Sequence, residues 1–124
     1  MALGSNKLVA FVVTRDRERA KTFYRDTLGL ALTSEDAFAM VFHANGTMLR
    51  IATVKEFIPA PHTVLGWEAP DIEASVKSLR AAGVVFTHYE GFGQDDLEIW
   101  TAPGGARVAW FKDPDGNTLS LSQH

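Results

Sequence analysis

Cysteine is absent from the 124 residues. That excludes disulfides, thiolate metal sites and cysteine nucleophiles. No apolar run approaches the about 18 residues that suggest a membrane-spanning helix. The N-terminus has no charged stretch followed by a long apolar one, so no secretory leader is read and a cytoplasmic protein is expected. Positive charge is scarce: 12 Lys and Arg stand against 15 Asp and Glu, a formal net charge of −3. A nucleic-acid binder would need a basic face, so neither a nucleic acid nor, given the lack of an apolar span, a membrane is expected as partner. The G-x-S-x-G nucleophile elbow and the nucleotide-binding glycine fingerprint are missing as well. What remains is an ordinary globular balance, 46% hydrophobic and 22% charged, in a length that suits one domain or two small units sharing a core.

The order of segments repeats. Leu8 to Val13 is a β-branched and aromatic run and predicts a strand. Asp16 is placed to cap a helix, Ala20, Phe23, Tyr24, Thr27 and Leu28 recur at helical spacing, and Gly29 stops it. A short strand near Leu30 to Ser34 precedes two more, Ala37 to His43 and Thr47 to Thr53. Asn45-Gly46 between the last two is a strong hairpin signal, since both residues tolerate positive φ. The pattern restarts with a strand at Thr63 to Glu68 and a helix capped by Asp71, with Ile72, Val76 and Leu79 on one face and Gly83 at its end. Strands are predicted at Val84 to Thr87, Leu97 to Thr101, Arg107 to Phe111 and Thr118 to Ser122, with a turn at Asp113-Pro114-Asp115-Gly116. The two caps lie 55 residues apart and the two helix-stop glycines 54 apart. Such repeats cannot easily bury their faces alone. The expected fold is therefore α+β: two βαβββ repeats, 7–58 and 62–124, joined by the linker 59–61. Their strands are expected to form a curved mixed sheet around a cleft, with the helices outside. Residues 1–6 lack patterning and are expected to be flexible.

Three stretches, DRERAKTFYRDTLGL (16–30), ANGTMLRI (44–51) and above all WFKDPDGNTLSL (110–121), make the chain resemble the vicinal oxygen chelate superfamily. That superfamily includes glyoxalase I, extradiol dioxygenases, fosfomycin-resistance enzymes and bleomycin-resistance proteins, and it hosts several chemistries and some pure binders. The resemblance implies four metal-ligand positions, which fall on Val9, Arg50, Val64 and Ser120. None is a usual ligand for a divalent metal, which takes imidazole or carboxylate, and a guanidinium adds fixed positive charge. No metal or other cofactor is therefore expected, although His62, two residues before Val64, could rescue one position. The resemblance also implies a homodimer.

Taking those four positions as facing the cleft, strand alternation nominates its lining. Phe11, Arg50 and Glu68 follow directly, with Ser120 on the last strand. Residues opposed in a hairpin share a face, so His43 follows across Asn45-Gly46. An even-length turn after Phe111 brings in Phe111 and Arg107 and leaves Trp110 in the core. A second even loop adds Trp100 and Glu98. Trp67 is expected on the outer face. The glycine-rich, acidic loop from Glu90 to Asp96 is read as a surface loop, or as a lid with Phe92 at its tip.

A cleft of aromatic rings, two arginines and two glutamates suits a small organic molecule, aromatic or anionic. The plainer reading is that Arg50–Glu68 and Arg107–Glu98 are ion pairs satisfying each other. The expected function is metal-free binding of the bleomycin-resistance type. The alternatives are a metal-dependent lyase or dioxygenase, or a metal-free acid–base enzyme using Glu68 or Glu98 with Arg50.

Overall fold

The computed structural model describes residues 2–124, and its contacts divide the chain into two compact units, Met1–Phe57 and Ile58–His124. Leu3–Ser5 forms one 3-10 turn closed by the Asn6 N–H on the Leu3 carbonyl at 3.0 Å. Met1, part of the segment expected to be flexible, lies outside the described residues.

In the first unit, strand β1 (Val9–Thr14) leads into helix α1 (Arg17–Lys21), which continues as a π-helical stretch over Thr22–Thr27. The Asp16 carboxylate caps α1 by accepting the Arg19 N–H at 3.2 Å. Strands β2 (Ala31–Glu35), β3 (Ala39–Ala44) and β4 (Thr47–Thr53) follow. The sheet order is β1-β4-β3-β2, with β1 parallel to β4 and the other pairs antiparallel. Asn45 (φ 45°) and Gly46 (φ 85°) form the two-residue turn between the paired ends Ala44 and Thr47, as the dipeptide predicts. One face of this sheet carries Val12, Met40, Phe42, Leu49 and Ile51, all buried, together with buried Tyr24 and Ala20 from the helical segment. Each such large side chain contributes about 1.5–3 kcal/mol by leaving water.

The second unit repeats the order: β5 (Thr63–Glu68), α2 (Ile72–Ala81), β6 (Trp100–Thr101), β7 (Arg107–Lys112) and β8 (Thr118–Gln123), paired as β5-β8-β7-β6. Asp71 caps α2 through the Ala74 N–H at 3.1 Å. The α+β class and the doubled βαβββ order thus appear as two four-stranded mixed sheets.

Two sequence expectations fail in this unit. The strand expected at 84–87 is a single bridge, Phe86 to Phe111. The strand expected from Leu97 shrinks to Trp100–Thr101. The cause is local: the Asp95 carboxylate accepts the N–H groups of Leu97 and Ile99, and Glu98 takes φ 63°, which is not extended.

The turn between β7 and β8 is also longer than expected. Lys112 pairs with Thr118, which leaves five residues, 113–117, in the loop. The Asp113 carboxylate holds it together by accepting the N–H groups of Asp115 and Asn117 and the Asn117 side-chain amide, at 2.8–2.9 Å. Gly116 sits at φ 90°, and a Cβ there would meet the Pro59 ring at 3.3 Å.

Candidate functional site

The odd length of the 113–117 loop decides which residues face the open side of the second sheet. Trp110 pairs with Ser120, and Phe111 pairs with Leu119. Paired residues share a face. Trp110 therefore stands on the Ser120 face, and Phe111 and Ala109 lie fully buried on the opposite one. This corrects the even-turn reading, which placed Phe111 and Arg107 beside Ser120 and Trp110 in the core. Trp67 pairs with Leu121 and stacks on Phe111 at 6.3 Å, on the buried face. The loop from β6 to β7 is odd too, since Thr101 pairs with Arg107 and Trp100 with Val108. Two inversions cancel for Trp100, which returns to the Ser120 face.

Trp110 is the centre of an aromatic group. Its ring lies 5.4 Å from Tyr89, 5.9 Å from Phe92 and 6.0 Å from Trp100. Its indole N–H donates to the Thr63 hydroxyl at 3.1 Å, reaching across β8 to β5. A cavity of about 250 Å³ opens here, lined by Pro61, His62, Thr63, Tyr89, Phe92, Trp110 and Thr118. Such a mixture of rings with a few hydroxyls is what binding sites for organic molecules present.

Phe92 reaches the cavity from the loop, flanked by Gly91 (φ 84°) and Gly93 (φ 72°). The loop is stapled by one side chain: Gln94 accepts the Tyr89 N–H at 2.6 Å and donates to the carbonyls of Thr87 and Glu98 at 2.9 and 2.8 Å. Phe92 itself stays 46% exposed.

The other expected site residues are spread. Glu98 binds His88 Nδ1 at 2.7 Å, and Arg107 pairs with Glu73 at 3.2 Å and lies 3.7 Å from Asp95. The expected Arg107–Glu98 pair is thus replaced by other partners. Glu68 is exposed at the end of β5, opposite Ser122. In the first unit Arg50 pairs with Phe11 on one side and Val41 on the other, and His43 lies two pairs along, opposite Met48. Phe11 is 66% exposed there. Arg50 also helps hold the Asp36 carboxyl below its ordinary range, behind the larger effect of the Phe38 and Ala39 N–H groups bonded to it. Sequence reasoning missed Tyr89 and left the segment carrying Phe92 open between a surface loop and a lid. The available signal was Asn117, which closes the loop with Asp113 and makes it odd.

The model of the Glyoxalase/Bleomycin resistance protein/Dioxygenase superfamily matches residues 7–121. The chain belongs to this superfamily. No curated protein gives a significant match to the sequence. Solved structures share the fold. A superfamily member from Sphaerobacter thermophilus is 22% identical, with a TM-score of 0.75, covering 99% of this chain and 100% of its own. The protein SMU.1112c is 21% identical, with a TM-score of 0.77 and coverage of 98% and 99%. TnmS3, an antibiotic-binding protein from a Streptomyces species, is 23% identical, with a TM-score of 0.72 and coverage of 99% and 98%.

The metal that many members of the superfamily carry does not fit the residues here. Val9 and Val64 offer no donor atom, and Arg50 offers a cation. The Ser120 hydroxyl faces Gly66 closely enough that a Cβ on that glycine would stand 2.6 Å from it. A β-bulge at Val64 interrupts the register between Thr63 and Leu65. Among the described residues, no group of three or more His, Asp or Glu is placed to hold a metal ion. His62 lines the cavity, with its Nδ1 3.2 Å from the Thr63 carbonyl.

Proposed function

We propose that this superfamily member binds a small organic molecule on the aromatic face of Ile58–His124, without a metal held by the protein. The observation that carries the reading is the cavity walled by Tyr89, Phe92 and Trp110 on the open face of the sheet. Buried aromatic rings normally fill a core, whereas these border open space. The antibiotic-binding activity in the name of TnmS3 supports binding as a role this fold serves. We place the protein in the cytoplasm and expect a homodimer, which sedimentation equilibrium checks.

A metal-free acid–base enzyme is the second reading. It rests on the 2.7 Å contact between His88 and Glu98, which orients one ring nitrogen of a solvent-exposed histidine. The remaining nitrogen lies 3.4 Å from Glu90.

The test is a titration of the native protein with bleomycin, 1-naphthoate and 2-naphthol, read by tryptophan fluorescence and by NMR shifts of the Trp110 indole N–H. Binding predicts saturable changes that Phe92→Ala weakens about tenfold, a loss of about 1.4 kcal/mol. If no probe moves the Trp110 resonance, the cavity is not a binding site and the reading fails.

A further inference from the structure

We infer that the Trp110 cavity selects an organic cation of the trimethylammonium class. This deepens the binding role proposed above and rests on it.

Ring orientation is the first ground. Of the three rings that line the cavity, Tyr89 meets Trp110 at 89° and Phe92 meets it at 79°, while Tyr89 and Phe92 lie 36° from each other. A planar ligand needs two parallel faces to form a slot. Trp110 stands near a right angle to both other rings, so the three form a corner instead. Each ring face carries negative quadrupole charge, so a compact cation gains from several faces at once.

Charge is the second ground. Ile58–His124 holds nine carboxylates against four Lys and Arg, a formal −5, while Met1–Phe57 holds six against eight, a formal +2. Four of the nine, Glu90, Asp95, Asp96 and Glu98, lie on the segment that supplies Tyr89, Phe92 and Trp100. A field of that sign concentrates cations and repels anions.

The third ground is that no Lys or Arg lines the cavity, whose polar lining includes His62 and the hydroxyls of Thr63 and Thr118. Arg107 sits on the opposite face of the sheet and is engaged by Glu73 and Asp95. Lys112 is exposed and does not line the cavity. The Trp110 indole N–H is already spent on Thr63. A quaternary ammonium needs no hydrogen-bond donor and requires none of these. This replaces the anionic ligand expected from Arg50 and Arg107.

The experiment compares choline with 3,3-dimethylbutan-1-ol, which has the same shape and no charge. Binding of each to the full chain is followed by tryptophan fluorescence and by shifts of the Trp110 indole resonance. Choline is expected to bind about tenfold more tightly or better. Raising NaCl from 0.05 to 0.5 M should weaken choline severalfold and leave the alcohol unchanged. Phe92→Leu should remove most of the preference and Phe92→Tyr should keep it. Equal or tighter binding of the alcohol overturns the cation inference and leaves small-molecule binding standing. If neither choline, the alcohol nor the naphthyl probes move the Trp110 resonance, both readings fail.

Discussion

Gly66→Ala tests why a serine stands at position 120. The two residues are paired neighbours on the parallel strands β5 and β8. A Cβ added at Gly66 would stand 2.6 Å from the Ser120 hydroxyl and 3.4 Å from the Ser120 carbonyl oxygen. Ser120 is only 8% exposed, so its hydroxyl has little room to turn away. Overpacking of this kind costs about 1–3 kcal/mol. Alanine offsets about 0.5–1 kcal/mol of that by restricting the unfolded chain. The net expectation is a loss of about 1–2 kcal/mol. The two β-carbons would be 3.9 Å apart, an ordinary contact, so the hydroxyl alone causes the clash. Ser120→Ala in the same chain should therefore recover about 1 kcal/mol or more as coupling. The assay is urea unfolding followed by tryptophan fluorescence. It reports on the relevant unit, because Trp67, Trp100 and Trp110 all lie in Ile58–His124. Each 1 kcal/mol also shifts Tm by about 4 °C in a chain of this size. An unmoved midpoint for Gly66→Ala, or a double variant additive within about 0.3 kcal/mol, would refute the packing argument.

Three further outcomes follow from the geometry. Asp113→Ala removes a buried carboxylate that gathers three N–H donors, so a loss of about 3 kcal/mol is expected in the same urea assay; a loss under about 1 kcal/mol contradicts that role. Incubation with zinc and desalting should leave well under one zinc per chain in both the native protein and Ser120→Glu, because Val9, Arg50 and Val64 supply no ligand; stoichiometric zinc by elemental analysis would contradict this. The Asp36 carboxyl is held below its ordinary range chiefly by the N–H groups of Phe38 and Ala39, and Glu35 chiefly by its bond to Lys21 at 2.9 Å. Both folded pKa values lie below the unfolded ones, so their stabilisation is full above the unfolded values and fades as pH falls through the folded ones. A carboxyl NMR titration placing Asp36 at or above the ordinary aspartate value would contradict this, and Asp36→Asn should flatten the acid side of the stability profile.

The sequence made the repeats readable because capping and hairpin chemistry is local. Asp16 and Asp71 each cap with a carboxylate on the N–H three residues ahead, and Asn45-Gly46 closes on itself. Facing in the first sheet was readable for the same reason. The two-residue turn fixes register, and Leu49 and Ile51 then fall on the buried side. Facing in the second sheet was not. It hangs on whether Asn117 belongs to the turn or to the strand, and that is settled by three hydrogen bonds to one carboxylate, Asp113. One residue of loop length exchanges Trp110 for Phe111 across the sheet.

That exchange changes the chemistry expected of the site. With Phe111 and Arg107 facing out, the second sheet would present one ring beside a guanidinium, which suits an aromatic anion. With Trp110 facing out and Arg107 turned to Glu73, it presents rings at steep angles beside an acidic loop. The strand sequence Arg107–Lys112 is compatible with either face, since an aromatic residue stands at both Trp110 and Phe111. Burial breaks the tie. Phe111 is fully enclosed with Phe86 and Trp67, whereas Trp110 has an indole N–H that needs a partner and finds it in Thr63, at the edge of the cavity. A phenylalanine has no polar atom to satisfy and fills the core at no such cost, so the side chain with the polar handle takes the open face.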